Sequence, residues 1–155
     1  MTTAHEGLSA AVARLTGDGP EPRLNLLLDP PATEVVGLWI ADQVRSGAPD
    51  HVVTWDEPQS AVLAYVVARA LGGTVVLAVE SEGLVDLPDA PGRGRAVLVA
   101  DRFATMDSLT ALLSVVESRG LAVAAVAAAT GSESLDVIAA AGRYPVVTPS
   151  HGGTA

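Results

Sequence analysis

One stretch of the chain, Gly94–Gly120 (GRAVLVADRFATMDSLTALLSVVESRG), restricts the fold more than any other. Ala96–Ala100 is an unbroken apolar run that stops at Asp101. A run without polar alternation is what a strand buried on both faces of a parallel sheet requires. A six-residue loop follows, and from about Ser108 the apolar residues Leu109, Leu112, Leu113 and Val116 recur at helical spacing. Strand, short loop and helix make half of a parallel crossover. The loop then lies beyond the carboxyl end of a strand, where open α/β sheets bind their ligands.

The same alternation runs through the rest of the chain. Leu8, Val12 and Leu15 predict a short helix over His5–Leu15, closed by a Gly- and Pro-containing turn at 16–20. Leu24–Leu28 reads as a short strand stopped by Asp29, Pro30 and Pro31. Val35, Val36, Trp39, Ile40 and Val44 mark an amphipathic helix that ends at Ser46 and Gly47. His51–Trp55 is a strand, Leu63, Val66, Val67, Ala70 and Leu71 mark the next helix, and Thr74–Val79 is again β-branched and apolar. Glu80–Gly94 mixes Pro, Gly and acids and reads as a long loop or irregular hairpin, of a length associated with lids. Leu121–Ala128 is a strand, Thr130–Glu133 reads as a capping box for a helix through Ala141, and Tyr144–Thr148 is a last strand.

Alternation with short connections predicts an α/β fold in three layers, a mostly parallel sheet of five to six strands with helices on both faces. A single domain over 1–155 is expected, with 1–22 as an N-terminal cap and 149–155 as a polar tail. At 49% hydrophobic and 17% charged residues the chain is no disordered polymer, and with 3% aromatics its core is built from Ala, Val and Leu. It has no cysteine, which removes disulfides, thiolate metal sites and a cysteine nucleophile. No secretory leader or membrane-length apolar run is visible, so a cytoplasmic protein is expected. The formal charge is −9, and every base is an arginine. That balance argues against nucleic acid and anionic membranes as partners, and makes any anionic ligand depend on a local basic pocket.

Two loops carry the residues of interest. In the first, Asp101 and Arg102 follow the strand, Thr105 and Ser108 supply hydroxyls, and Asp107 is placed to cap the helix that follows. In the second, Asp56 and Glu57 follow a strand, Pro58 suits a first helical turn, and Asp56 with Gln59 makes a capping-box-like pair. Asp56, Glu57, Asp101 and Asp107 would converge at one sheet edge in such a fold. His5, His51 and His151 are too scattered for a triad or zinc set, and Ser60 and Ser108 lack a nucleophile-elbow context. Trp39 and Trp55 read as core or interface packing, with Trp55 at a strand end able to border a pocket.

Ala96–Ser108 resembles the PRPP-binding signature of the type I phosphoribosyltransferases, an apolar strand running into two adjacent acids and a threonine- and glycine-rich loop that opens a helix. Asp50–Gly72 resembles that family's strand, pyrophosphate loop and second helix, Glu80–Gly94 lies where its flexible catalytic loop would be, and Arg119–Ala129 is similar to its next strand. By this resemblance Asp101 keeps the second acid while Ala100 replaces the first, and Thr105 and Ser108 keep hydroxyls. Met106 and Asp107 stand where glycines let the phosphate approach. Asp56 and Glu57 replace the small residues that greet pyrophosphate. A carboxylate about 4 Å from a phosphate charge is repelled by about 4 kcal/mol at an effective dielectric of about 20, about a thousandfold in affinity.

Three functional readings follow. The resemblance with its substitutions implies a phosphoribosyltransferase-like homodimer whose PRPP chemistry is lost or weak, acting as a binding, regulatory or scaffolding subunit. An active orotate- or purine-type transferase would use PRPP and Mg, with Asp101 on the ribose hydroxyls and Thr105 and Ser108 on the 5-phosphate. A third reading is an acidic pocket for a cation or amine. The ligand is accordingly a small phosphorylated or a cationic molecule, and Asp56, Glu57, Asp101, Arg102, Thr105, Met106, Asp107 and Ser108 are the residues expected to meet it.

Overall fold

Five parallel strands and one antiparallel edge strand form a six-stranded sheet in the order β3-β2-β1-β4-β5-β6. The computed structural model describes residues 2–20 and 23–149. His151 and the polar tail beyond Pro149 lie outside the described residues, as do parts of the N-terminal cap. In chain order the elements are α1 (Thr2–Leu15), α2 (Pro30–Val44), β1 (His51–Trp55), α3 (Pro58–Leu71), β2 (Thr74–Ser81) and β3 (Leu84–Asp86). There follow β4 (Gly94–Ala100), α4 (Met106–Ser118), β5 (Leu121–Ala128), α5 (Glu133–Ala141) and β6 (Val146–Val147).

The strands alternate their side chains between two cores. Val52, Val97, Val99, Ala125 and Ala127 point to one face, where α1, α2 and α3 cover them with Leu15, Val36, Ile40, Leu63 and Val67. Val53, Ala96, Leu98, Val126 and Ala128 point to the other, under Leu109, Leu112 and Val116 of α4 and Leu135 and Ile138 of α5. Small side chains let neighbouring helices of one layer approach closely. At Gly37 of α2 an added Cβ would stand 2.4 Å from Val66 Cγ1 of α3. The three-layer α/β architecture is therefore as the apolar pattern requires.

The order of the strands fixes where a ligand can enter. From β1 the chain crosses to β2 on one side, then returns to place β4 on the other side of β1. The crevice outside the carboxyl ends of β1 and β4 is thus a topological switch point. The helices that leave it diverge: α3 packs on one face and α4 on the opposite face.

Several local expectations are corrected. Leu24–Leu28 is not a strand, apart from one isolated bridge between Thr16 and Leu24. The Leu26 N–H donates to Gln59 Oε1 and its carbonyl accepts from Thr33 Oγ1, so side chains satisfy the groups a ladder would need. Asp29 and the two prolines start α2 instead of merely ending a strand. Asp29 Oδ1 accepts from the Ala32 N–H, and Pro30 occupies the first turn, where a missing N–H is harmless. Of the two readings for Glu80–Gly94 the hairpin is the one found: β2 and β3 pair through a tight turn whose two residues, Glu82 and Gly83, have φ of 53° and 79°. The helix α5 is capped by Ser132, not Thr130.

Candidate functional site

A cleft of about 540 Å³ opens at the switch point, and residues from β1, β2, α3, α4 and the loops around them line it. Trp55 ends β1, Glu57 and Gln59 open α3, Glu80 lies near the end of β2, and Asp101, Arg102, Ala104, Thr105 and Ser108 belong to the β4–α4 connection. Arg23, Leu24 and Asn25 close one side, and Thr130 after β5 borders the other. Of the sequence-predicted residues, Glu57, Asp101, Arg102, Thr105 and Ser108 are brought together here. Asp56 and Asp107 are exposed and stand outside the cleft. Met106 packs toward α5 and lines a separate groove with Leu113, Ile138 and Tyr144.

The α4 side of the cleft differs from the sequence expectation. The cap of α4 is Thr105, whose Oγ1 accepts the Ser108 N–H at 3.2 Å. Asp107 is two residues further in, exposed, and does not cap the helix. The expected self-filled phosphate berth at Asp107 is therefore corrected: the helix begins two residues before Ser108, which carries the acid past the capping position. Asp107 still lies in the first turn, where a negative charge suits the helix dipole.

On the α3 side the backbone leaves an anion little to hold. The Asp56 N–H donates to Ala78 O at 2.9 Å and the Glu57 N–H donates to Trp55 O at 2.8 Å. Pro58, first residue of α3, has no N–H to offer. Glu57 itself is the N-cap residue, and its side chain makes no capping hydrogen bond. The expected Asp56–Gln59 capping pair is not formed, because Gln59 turns its oxygen to Leu26. Within Asp56–Pro58, then, two N–H groups are taken by strand carbonyls and the third residue has none.

Carboxylates stand there instead. Glu57 is exposed as a residue, yet partial desolvation of its carboxyl raises its pKa above the ordinary value of 4.5, and the nearby charges of Asp101 and Glu80 push it further the same way. Asp101 is fixed by a residue that the sequence reading set aside. Ser60, fully buried in the first turn of α3, donates from Oγ to Asp101 Oδ1 at 2.8 Å and accepts the Asp101 N–H at 3.2 Å. Arg102 is exposed and makes no ion pair among the described residues. Arg95 is at the far end of β4, bound to Gly47 O at 2.6 Å.

Among the described residues no three His, Cys, Asp or Glu side chains come close enough together to hold a metal ion. The expected convergence of Asp56, Glu57, Asp101 and Asp107 is thus reduced to Glu57 and Asp101, joined by Glu80. No helix is long and apolar enough to cross a membrane among the described residues.

Solved structures share this fold. A phosphoribosyltransferase from Corynebacterium diphtheriae superposes with a TM-score of 0.71 at 21% identity, covering 96% of this chain and 95% of that one. Adenine phosphoribosyltransferase from Leishmania tarentolae gives 0.71 at 15% identity over 91% and 85% of the two chains. Orotate phosphoribosyltransferase from Mycobacterium tuberculosis, in complex with inorganic phosphate, gives 0.67 at 16% identity over 96% and 95%. The fold is that of the type I phosphoribosyltransferases. No family model and no curated protein matches the sequence. On a phosphoribosyltransferase fold, then, this chain sets an acidic mouth at α3 against a hydroxyl-lined mouth with an arginine at α4.

Ser60, Gln59 and Glu80 are among the site residues that sequence reasoning did not point to, as are Arg23, Asn25 and Thr130 on the cleft wall. Gln59 and Ser60 act through partners 33 and 41 residues away, which no local pattern reveals. Glu80 had a signal: it directly continues the Thr74–Val79 run, so a strand two residues longer carries it to the carboxyl edge.

Proposed function

We propose that this chain is a small-molecule binding protein on a phosphoribosyltransferase fold, with PRPP-dependent transfer lost or weak, working as a binding or regulatory subunit. The observation that carries this reading is the loop Asp56–Pro58. Its two N–H groups are committed to Ala78 and Trp55, its third residue has none, and Glu57 faces Asp101 and Glu80 beside it. A pyrophosphate group needs several backbone donors and a positive end of a helix. At this mouth it meets carboxylates that already repel one another. The test is pyrophosphate release from PRPP and Mg with orotate or adenine as acceptor. The expected result is release no faster than without protein; turnover above that background overturns the proposal.

A second reading has one observation in its favour. Arg102, Thr105 and Ser108 line the α4 side of the same cleft, where a 5-phosphate would sit in an active transferase. In that reading Asp101 holds ribose hydroxyls and Mg arrives with PRPP. The same assay separates the two, because only an active transferase releases pyrophosphate.

A further inference from the structure

Leu26 is held at both ends by side chains from two different helices. Its N–H donates to Gln59 Oε1 at 2.9 Å, and its carbonyl accepts from Thr33 Oγ1 at 2.6 Å. Leu26 and Thr33 are buried, whereas Gln59 is half-buried and lines the cleft. A backbone N–H is only a donor, so it dictates that the oxygen end of the Gln59 amide faces it. The residues just before Leu26, namely Arg23, Leu24 and Asn25, form one wall of the cleft. That wall is tied back to the end of α1, with Asn25 N–H donating to Leu15 O and Gly17 N–H to Arg23 O. Gln59 ties it forward to the first turn of α3, one residue from the serine that holds Asp101.

We infer that Gln59 is a positioning residue: its side-chain oxygen fixes the Arg23–Asn25 wall against the mouth of α3 and so sets the width of the ligand cleft. The inference rests on the reading of this cleft as the ligand site, but its test uses no ligand. In a Trp39→Phe background Trp55, which lines the cleft, is the one remaining indole. Gln59→Met keeps the length of the side chain without a strong acceptor. It is expected to speed exchange of the Leu26 amide about tenfold, the worth of one hydrogen bond, and to raise acrylamide quenching of Trp55. Gln59→Glu keeps an oxygen for the N–H and is expected to hold both readouts at the parent level. Unchanged exchange and quenching in Q59M overturn the inference, and so does a Q59E variant that exchanges as fast as Q59M. A wild-type protein that turns over PRPP would refute the proposed function and leave these two readouts intact, so the two failures are told apart.

Discussion

Ser60 and Asp101 bind each other twice: the serine hydroxyl donates to the carboxylate at 2.8 Å and accepts the aspartate's own N–H at 3.2 Å. This couple ties the end of β4 to the first turn of α3, across the switch point of the sheet. It holds a carboxylate at the cleft floor by a charge-assisted bond. Ser60→Ala removes the donor and leaves the Asp101 N–H without its acceptor. A loss of about 1–3 kcal/mol in urea unfolding is expected. A variant as stable as the parent would show that the couple contributes nothing.

Glu57 makes stability fall with rising pH. Its carboxyl is desolvated and faces Asp101 and Glu80, so its pKa in the folded protein lies above the unfolded value near 4.5. Between those values the folded state binds more protons than the unfolded one, and stability decreases as pH rises through that window. The favourable contribution is present below the unfolded pKa and lost above the folded one. Glu57→Gln abolishes this slope. Thermal melts of parent and variant from about pH 4 to about pH 7 should diverge, with the variant the more stable at the upper end.

Gly37 is where α2 and α3 come closest. A Cβ there would stand 2.4 Å from Val66 Cγ1 and 2.8 Å from Val66 Cβ. Neither helix can yield cheaply, because Leu63 and Val67 of α3 are fully buried beside the contact. Gly37→Ala is expected to cost about 1–3 kcal/mol by overpacking, against a gain in helix propensity of about 1 kcal/mol. Calorimetry should show a lowered Tm.

Thr54 carries a buried hydroxyl with no hydrogen-bond partner among the described residues, between Val53 and Trp55 in β1. Thr54→Val keeps the shape and removes the unsatisfied group. The variant is expected to be more stable by up to about 1 kcal/mol. Lower stability in chemical denaturation would mean that the hydroxyl has a partner in solution.

The sheet was legible because its central strands carry apolar runs, Val97–Ala100 and Leu121–Ala128 above all. His51–Trp55 and Leu121–Ala128 match their predicted bounds to the residue. Leu24–Leu28 has the same composition, yet Gln59 and Thr33 take up the backbone groups of Leu26, and both partners are far away in sequence. Capping was read with errors of one or two residues, since Thr105 and Asp107, or Thr130 and Ser132, are equally good caps by type. That small shift matters at α4, where it moves Asp107 out of the cleft. The acids beside Asp101 are Glu57 and Glu80 rather than Asp56 and Asp107. The Asp56 amide is consumed by Ala78 of β2, which packs beside β1, and that could be seen only in the fold.

The account turns on whether this cleft repels pyrophosphate, and calorimetric titration of PRPP with Mg measures that directly. The wild-type protein should give no binding heat at millimolar PRPP, while a Glu57→Gln, Glu80→Gln variant, with two of the three facing carboxylates neutralised, should gain measurable affinity. Micromolar binding of PRPP to the wild-type protein, unchanged in the variant, would contradict it.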